Sequence, residues 1–230
     1  MGDGNYNAPF KVPHIKINPK LLIIFLMVIL LGIVGVSTFY MVDQTEQAVV
    51  LRFGRVNRIT EPGLHLKIPF GIESNYNVPT QVVQTMSFGF RSDRPGVTPS
   101  YAQTDYPEES VMLTGDLNIV DVEWVIQYRI VEPQEWLFKV EDKERTIRDI
   151  SQSVINMLVG DRGIFDVIGR ERVAIEASGQ ELINKILKSY KLGTNVTTVK
   201  LRNIVPPIGT VQDSFEDVNK AQQEMNRFIN

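Results

Sequence analysis

The sequence predicts an α+β protein carried behind a single membrane-spanning helix, and three observations lead there. A run of twenty-two residues from Leu21 to Val42 carries no charge. Apolar and polar residues then alternate with period two in successive segments up to Ile130, and helical spacing takes over after Pro133. Strands gathered ahead of amphipathic helices indicate α+β rather than a doubly wound parallel sheet. No internal repeat of fixed period is visible.

The uncharged run decides the first element. Fifteen of its residues are Leu, Ile, Val or Phe, and as a helix it would be about 33 Å long against a hydrocarbon core of about 30 Å. Leu21, Leu22, Ile23, Phe25, Leu30 and Leu31 are expected to face lipid, with Phe39 and Tyr40 at the headgroup level where amphipathic rings collect. A cleaved signal peptide is the competing reading, because Gly35-Val36-Ser37 has the small-x-small form of a cleavage site. The apolar run continues past that point and is longer than an ordinary signal core. Lys16 and Lys20 precede the run closely while Asp43 and Glu46 follow it, so the tail is expected inside the cytoplasm and the bulk outside.

After the anchor, Val49, Leu51 and Phe53 suggest a strand that turns at Gly54-Arg55. Pro62-Gly63 marks another turn, followed by Leu64, Leu66, Ile68 and Phe70 on one face and His65 and Lys67 on the other. Val78, Val82, Met86, Phe88 and Phe90 continue an even-numbered apolar face. The prolines and polar residues between Arg91 and Glu109 read as a long exposed loop. Thr114-Gly115-Asp116 turns a hairpin into the clearest strand, in which Val120, Val122, Trp124, Ile126, Tyr128 and Ile130 share one face. Trp124 is expected in the core.

Helical spacing begins at Trp136, Leu137 and Val140, and Asp142 is placed to cap a helix bearing Ile147, Ile150, Val154 and Leu158. A second amphipathic helix is predicted over 169–191 with Gly193 as its stop, then a strand through Val199 and Leu201. Thr210 and Asp213 have the form of a capping box before a last helix. There Val211, Phe215, Val218, Gln222, Met225 and Ile229 fall at the 4-3-4-3-4 spacing of a coiled coil that runs to Asn230 without a stop signal. Val211, Phe215, Val218, Met225 and Ile229 are the expected oligomerisation surface, and the coiled coil is expected to be truncated. The resulting organisation is a cytoplasmic tail 1–20, a transmembrane helix 21–42, a β-rich part 43–106, a mixed part 107–206 and the start of a C-terminal helix 207–230.

Composition narrows function by exclusion. Twenty-four Lys and Arg against twenty-seven Asp and Glu give a net charge of −3, the wrong sign for a chain that coats nucleic acid. The absence of Cys removes disulfides, thiolate metal sites and thiol catalysis, and two histidines, His14 and His65, cannot build a multi-His metal centre. Phosphate-loop, dinucleotide, nucleophile-elbow, zincin and EF-hand signatures are missing. His65 reads as a solvated imidazole, and the carboxylate pairs Glu108-Glu109 and Glu216-Asp217 as solvated faces. Asn195-Val196-Thr197 matches a glycosylation sequon, which matters only in a eukaryotic secretory lumen. No catalytic residue, cofactor or metal is expected; a Ser-Lys hydrolase is the remote enzymatic alternative. Ile68-Pro69-Phe70-Gly71-Ile72 forms an apolar tip close to the anchor, and Ile68, Pro69, Phe70 and Ile72 are expected either to dip into the outer leaflet or to be a buried strand end.

Together these residues resemble a known superfamily. The single anchor, Thr45-Glu46-Gln47-Ala48, Arg52-Phe53-Gly54-Arg55, Glu61-Pro62-Gly63-Leu64-His65 and Lys67-Ile68-Pro69-Phe70 look like the start of an SPFH (band 7) domain, the stomatin, prohibitin, flotillin and HflK/HflC group. Pro107-Glu108-Glu109-Ser110, Met112-Leu113-Thr114-Gly115-Asp116, Gln127-Tyr128-Arg129, Gly169-Arg170-Glu171-Arg172 and Val205-Pro206-Pro207 bring the resemblance closer to the HflK branch. It implies a bacterial inner-membrane scaffold with a periplasmic body that forms hetero-oligomeric rings with an HflC-like subunit. Those rings would modulate the AAA+ protease FtsH, with the lipid bilayer as a further contact and no catalytic residues. A stomatin-like organiser of membrane microdomains, independent of FtsH, is the alternative within the same superfamily. Against that resemblance, the tail is expected to be shorter than the Gly-rich tail of many HflK proteins, and the long C-terminal coiled coil and its cap are expected to be missing.

Overall fold

A computed structural model describes residues 19–91 and 106–205, and near the C-terminus 220, 221, 224, 225 and 227. Helix α1 spans Pro19–Thr38, 20 residues and about 30 Å. Its side chains from Leu22 to Val36 are almost all exposed, as expected of a helix that is apolar on every side and has no core to enter. The side chains of Pro19 and Leu21 lie outside the description, and among the described residues no helix is long and apolar enough to cross a membrane.

The apolar run does not stay helical to its end. Phe39–Val42 form strand β1, paired antiparallel with β4 (Gly63–Leu66) in a two-stranded ribbon. The helix expected over 21–42 thus ends at Thr38, and Tyr40 departs from its expected headgroup position whereas Phe39, 53% exposed, does not. Tyr40 is buried with Val42, Ala48 and Val50, and its hydroxyl lies 3.0 Å from that of Thr60. A buried phenol needs a hydrogen-bond partner, which Thr60 supplies, and β-branched and aromatic residues favour the extended chain.

Next comes a three-stranded sheet in the order β3 (Arg55–Thr60), β2 (Gln47–Arg52), β5 (Glu73–Val78). As the central strand, β2 buries Ala48, Val49, Val50 and Leu51 in succession, so both of its faces are covered. Phe53, expected on the same face as Val49 and Leu51, lies outside the strand in the β2–β3 turn.

The second half is built on β8 (Ile119–Ile130), whose whole length pairs with β9 (Thr194–Val205). Its other edge pairs first with β7 (Val111–Leu113) and then with β6 (Gln84–Phe88). The even-numbered face of β8 is buried as the alternation predicts, and Trp124 stacks on Phe88 at 4.5 Å between ring centroids. Val82 departs from its expected face because it lies between β5 and β6, where it is exposed.

Helix α2 (Pro107–Ser110) and helix α3 (Pro133–Phe138) are short. Helix α4 (Lys143–Gly160) is capped by Asp142, whose carboxylate accepts from the Arg145 N–H at 3.2 Å. A π-helical turn, Asp166–Arg170, precedes α5 (Arg172–Ser189), so the second helix begins three residues later than its spacing suggested. Ile147, Val154, Ile155 and Leu158 of α4 and Ile175, Ile183 and Leu187 of α5 close over the buried face of the sheet. Helix α5 ends at Ser189, earlier than the expected stop at Gly193, with Lys191 left-handed at φ +54°; Gly193 (φ +71°) forms the turn before β9, and its carbonyl accepts from both the Val131 and Glu132 N–H groups. Lys220, Ala221, Glu224, Met225 and Arg227 are helical, and Met225 is exposed. Val211, Phe215, Val218 and Ile229 of the expected oligomerisation surface, with the Thr210–Asp213 capping box and the Glu216-Asp217 pair, lie outside the described residues, as does His14.

Candidate functional site

The site is assembled where α1 meets the strand-rich half. Pairing Phe39 with Leu66 and Met41 with Leu64 places all four side chains on one face of the β1–β4 ribbon. That face is open: Met41 is 69% exposed and Leu64 65%. The expected shared face holds for Leu64 and Leu66 and looks outward, but β4 ends at Leu66, so Ile68 and Phe70 lie beyond the strand and Phe70 sits in a left-handed turn. A contiguous apolar surface of this kind is unusual on a water-facing domain.

The apolar tip continues from the ribbon. The Lys67 N–H donates to the Thr38 carbonyl at 2.7 Å, which ties the start of the tip to the last residue of α1. Phe70 is 70% exposed, Ile68 is exposed and Pro69 and Ile72 are half-buried. Of the two expectations for this segment, a buried strand end is excluded for Phe70.

The base of the tip is closed by Glu73. Its N–H donates to the Ile68 carbonyl at 3.2 Å, and its carboxylate accepts from the Ile68 N–H at 3.0 Å. The side chain is only 1% exposed. Arg52 donates to Oε1 through Nε and Nη2 at 3.1 and 2.9 Å, and Arg58 reaches both oxygens at 3.3 Å. Arg58 also donates to the Leu66 carbonyl at 2.6 Å, and Asn57 to Oε1 at 3.3 Å. Burial alone pushes the Glu73 carboxyl up. The Ile68 N–H, the Arg52 hydrogen bond and the two guanidinium charges outweigh it and hold the group below the usual carboxylate range.

Sequence reasoning missed Glu73, Arg52 and Arg58 because their partners come from separate strands. It also misplaced Phe53, whose N–H donates to the Ile72 carbonyl at 3.0 Å and joins the β2–β3 turn to the tip. Phe-Gly occurs at 53–54, 70–71 and 88–89, and in the third the phenylalanine is a buried strand residue, so the dipeptide alone does not mark the two turns. His65 packs 5.6 Å from the Tyr40 ring and its Nε2 lies 2.7 Å from the Glu61 carbonyl, so it is engaged rather than simply solvated.

A second ionic cluster lies in the other half. Glu109, expected on a solvated face, accepts from Arg91 at 2.6 Å and Arg148 at 3.1 Å, and the Gly89 N–H donates to it at 3.1 Å. Burial raises its carboxyl, and the Arg91 and Gly89 hydrogen bonds with the nearby arginine charges bring it below its ordinary value. Among the described residues there is no group of His, Asp and Glu side chains suited to a metal ion.

The family model described as SPFH domain / Band 7 family matches residues 40–229. The chain belongs to that family. The match begins at the buried Tyr40, so the SPFH region includes the β1–β4 ribbon and leaves α1 ahead of it. Among its relatives, the protein HflK of Treponema pallidum is 51% identical over 86% of this chain, and HflK of Borreliella burgdorferi 42% over 91%. A third, from Escherichia coli, named modulator of FtsH protease HflK, is 25% identical over 84%. This SPFH chain spans 60%, 66% and 41% of the length of those three relatives.

Proposed function

We propose that the chain is a single-pass membrane scaffold that modulates FtsH. In this reading 1–20 is a cytoplasmic tail, the anchor lies within 21–42, and the SPFH body occupies 43–106 and 107–206 on the periplasmic side of a bacterial inner membrane. The chain acts without catalytic residues of its own, in hetero-oligomeric rings with an HflC-like subunit. It would restrict which membrane proteins reach the protease laterally. Many copies, each anchored once, let weak lateral contacts add up by avidity.

The observation that carries the FtsH assignment is the name of the Escherichia coli relative, a modulator of that protease. The membrane reading is supported by the exposed apolar surface of α1 and by the 2.7 Å bond that keeps the tip beside its end. Leu22, Ile23, Phe25, Leu30 and Leu31 would contact acyl chains, with Ile68, Pro69, Phe70 and Ile72 in the outer leaflet. The segment from 207 would supply lateral contacts through Val211, Phe215, Val218, Met225 and Ile229.

The test is affinity purification after mild crosslinking in the native membrane, followed by mass spectrometry. Near-stoichiometric recovery of FtsH and an HflC-like subunit is the expected result. A large self-assembly recovered without FtsH would overturn the assignment in favour of a microdomain organiser.

A further inference from the structure

Both turns at the apolar tip share a conformation that bulky side chains avoid. Phe53 and Gly54 have φ of +49° and +77°, and Phe70 and Gly71 have +63° and +75°. In the first, Arg52 pairs with Arg55, so Phe53-Gly54 is a two-residue hairpin turn with both central residues left-handed. That geometry suits Asn-Gly or Gly-Gly, and a phenylalanine there is strained by the approach of its Cβ to the following carbonyl oxygen. The ring recovers nothing by burial, since Phe53 is 78% exposed. Two strained aromatics held in the open, on turns joined by the Phe53–Ile72 hydrogen bond, are a feature that folding alone does not explain.

Glu73 is the joint between them. Arg52 flanks the first turn and Ile68 opens the second loop, and both bond its carboxylate. The tip is therefore not a floppy loop but two turns fixed to one buried anion. We infer that Phe53 and Phe70 form a two-pronged anchor that inserts into the interfacial region of the bilayer, with the Glu73 cluster holding the prongs in register. The occupant is a lipid surface because the tip is continuous with α1 through Lys67 and Thr38 and with the open apolar ribbon. The inference rests on the membrane reading of α1, and it adds a second prong and a positioning residue to the tip.

The chain has no Cys, so each introduced Cys carries a unique label. Phe53→Cys, Phe70→Cys and, in the second half, Tyr190→Cys would each be labelled with an environment-sensitive fluorophore. The full chain is then reconstituted in phosphatidylethanolamine–phosphatidylglycerol vesicles containing a lipid quencher placed near the headgroups. Quenching at 53 and 70 is expected to exceed that at 190 by about two-fold or more. Carbonate extraction of the same vesicles reports on α1 separately. A carbonate-resistant chain with label 70 quenched and label 53 not would overturn the second prong and leave the anchor reading intact. A carbonate-extracted chain would sink the anchor reading, and this inference with it. Glu73→Gln, checked for folding by circular dichroism, should lower quenching at both labels together. Arg58→Gln, which leaves Glu73 in place but removes the Arg58 guanidinium from both carboxylate oxygens, should do the same. Unchanged quenching in both variants would refute the positioning role.

Discussion

Asn184 of α5 exchanges two hydrogen bonds with Val196 of β9: its Nδ2 donates to the Val196 carbonyl at 2.8 Å, and the Val196 N–H donates to its Oδ1 at 2.7 Å. The side-chain amide thus stands where a neighbouring strand would. Arg172, Glu176 and Gln180, at four-residue spacing on the same helix, bond other backbone groups of β9. An open strand edge is a template for unwanted pairing, and here a helix covers it. Asn184→Leu should destabilise the fold by about 1–3 kcal/mol by leaving the Val196 N–H unsatisfied. Thermal unfolding in detergent micelles checks this, and a midpoint equal to that of the parent would refute the edge-covering role.

Gly193 holds the turn between α5 and β9. A Cβ there would lie 2.4 Å from the Glu132 carbonyl oxygen and 2.9 Å from the Trp136 N, in a backbone conformation already unfavourable to other residues. Gly193→Ala is expected to lower stability by at least about 2 kcal/mol. Urea unfolding should show the loss as a lower midpoint, and an unshifted midpoint would contradict the close approach.

The carboxylates of Glu73 and Glu109 are both held below their ordinary values. The stability they contribute is present above the unfolded-state value of about 4.3 and is lost as pH falls through the depressed folded-state values. Glu109→Gln should be less stable than the parent at pH 7, and its stability should fall less steeply below about pH 5. Parallel pH profiles for the two proteins would argue against the depressed Glu109.

The C-terminal segment offers a test of assembly. Phe215→Asp places a charge on the proposed a/d surface and should reduce the mass of the detergent-solubilised assembly. Light scattering on the eluting complex measures it, and an unchanged mass would remove that surface from consideration.

How much of this was legible follows from which physical signals are local. The β8 strand declared itself through Val120, Val122, Trp124, Ile126, Tyr128 and Ile130 because one face is covered by helices, and Asp142 announced the start of α4 by its capping chemistry. Tyr40 was misread because a uniformly apolar run does not mark where helix yields to strand. The shared face of Leu64 and Leu66 was legible, but alternation carries no information on whether that face meets core or surroundings. Glu109 looked solvated since Arg148, which pairs with it, is 39 residues away. Phe53 escaped because nothing in a pattern of hydrophobic spacing reports a left-handed backbone.

The Arg91–Glu109 cluster also fixes the geometry of an excursion. The Arg91 guanidinium lies 4.3 Å from the centre of the Tyr106 ring, and the Tyr106 N–H donates to the Gly89 carbonyl at 3.3 Å. The chain therefore leaves and returns through a single gate, whose two posts are braced by a carboxylate and two guanidinium groups. With closure already secured at the gate, doubling the intervening length would add only about 0.6 kcal/mol of closure entropy. The two ends of the long loop expected between Arg91 and Glu109 are thus brought together by the fold itself, while positions 92–105 lie outside the described residues.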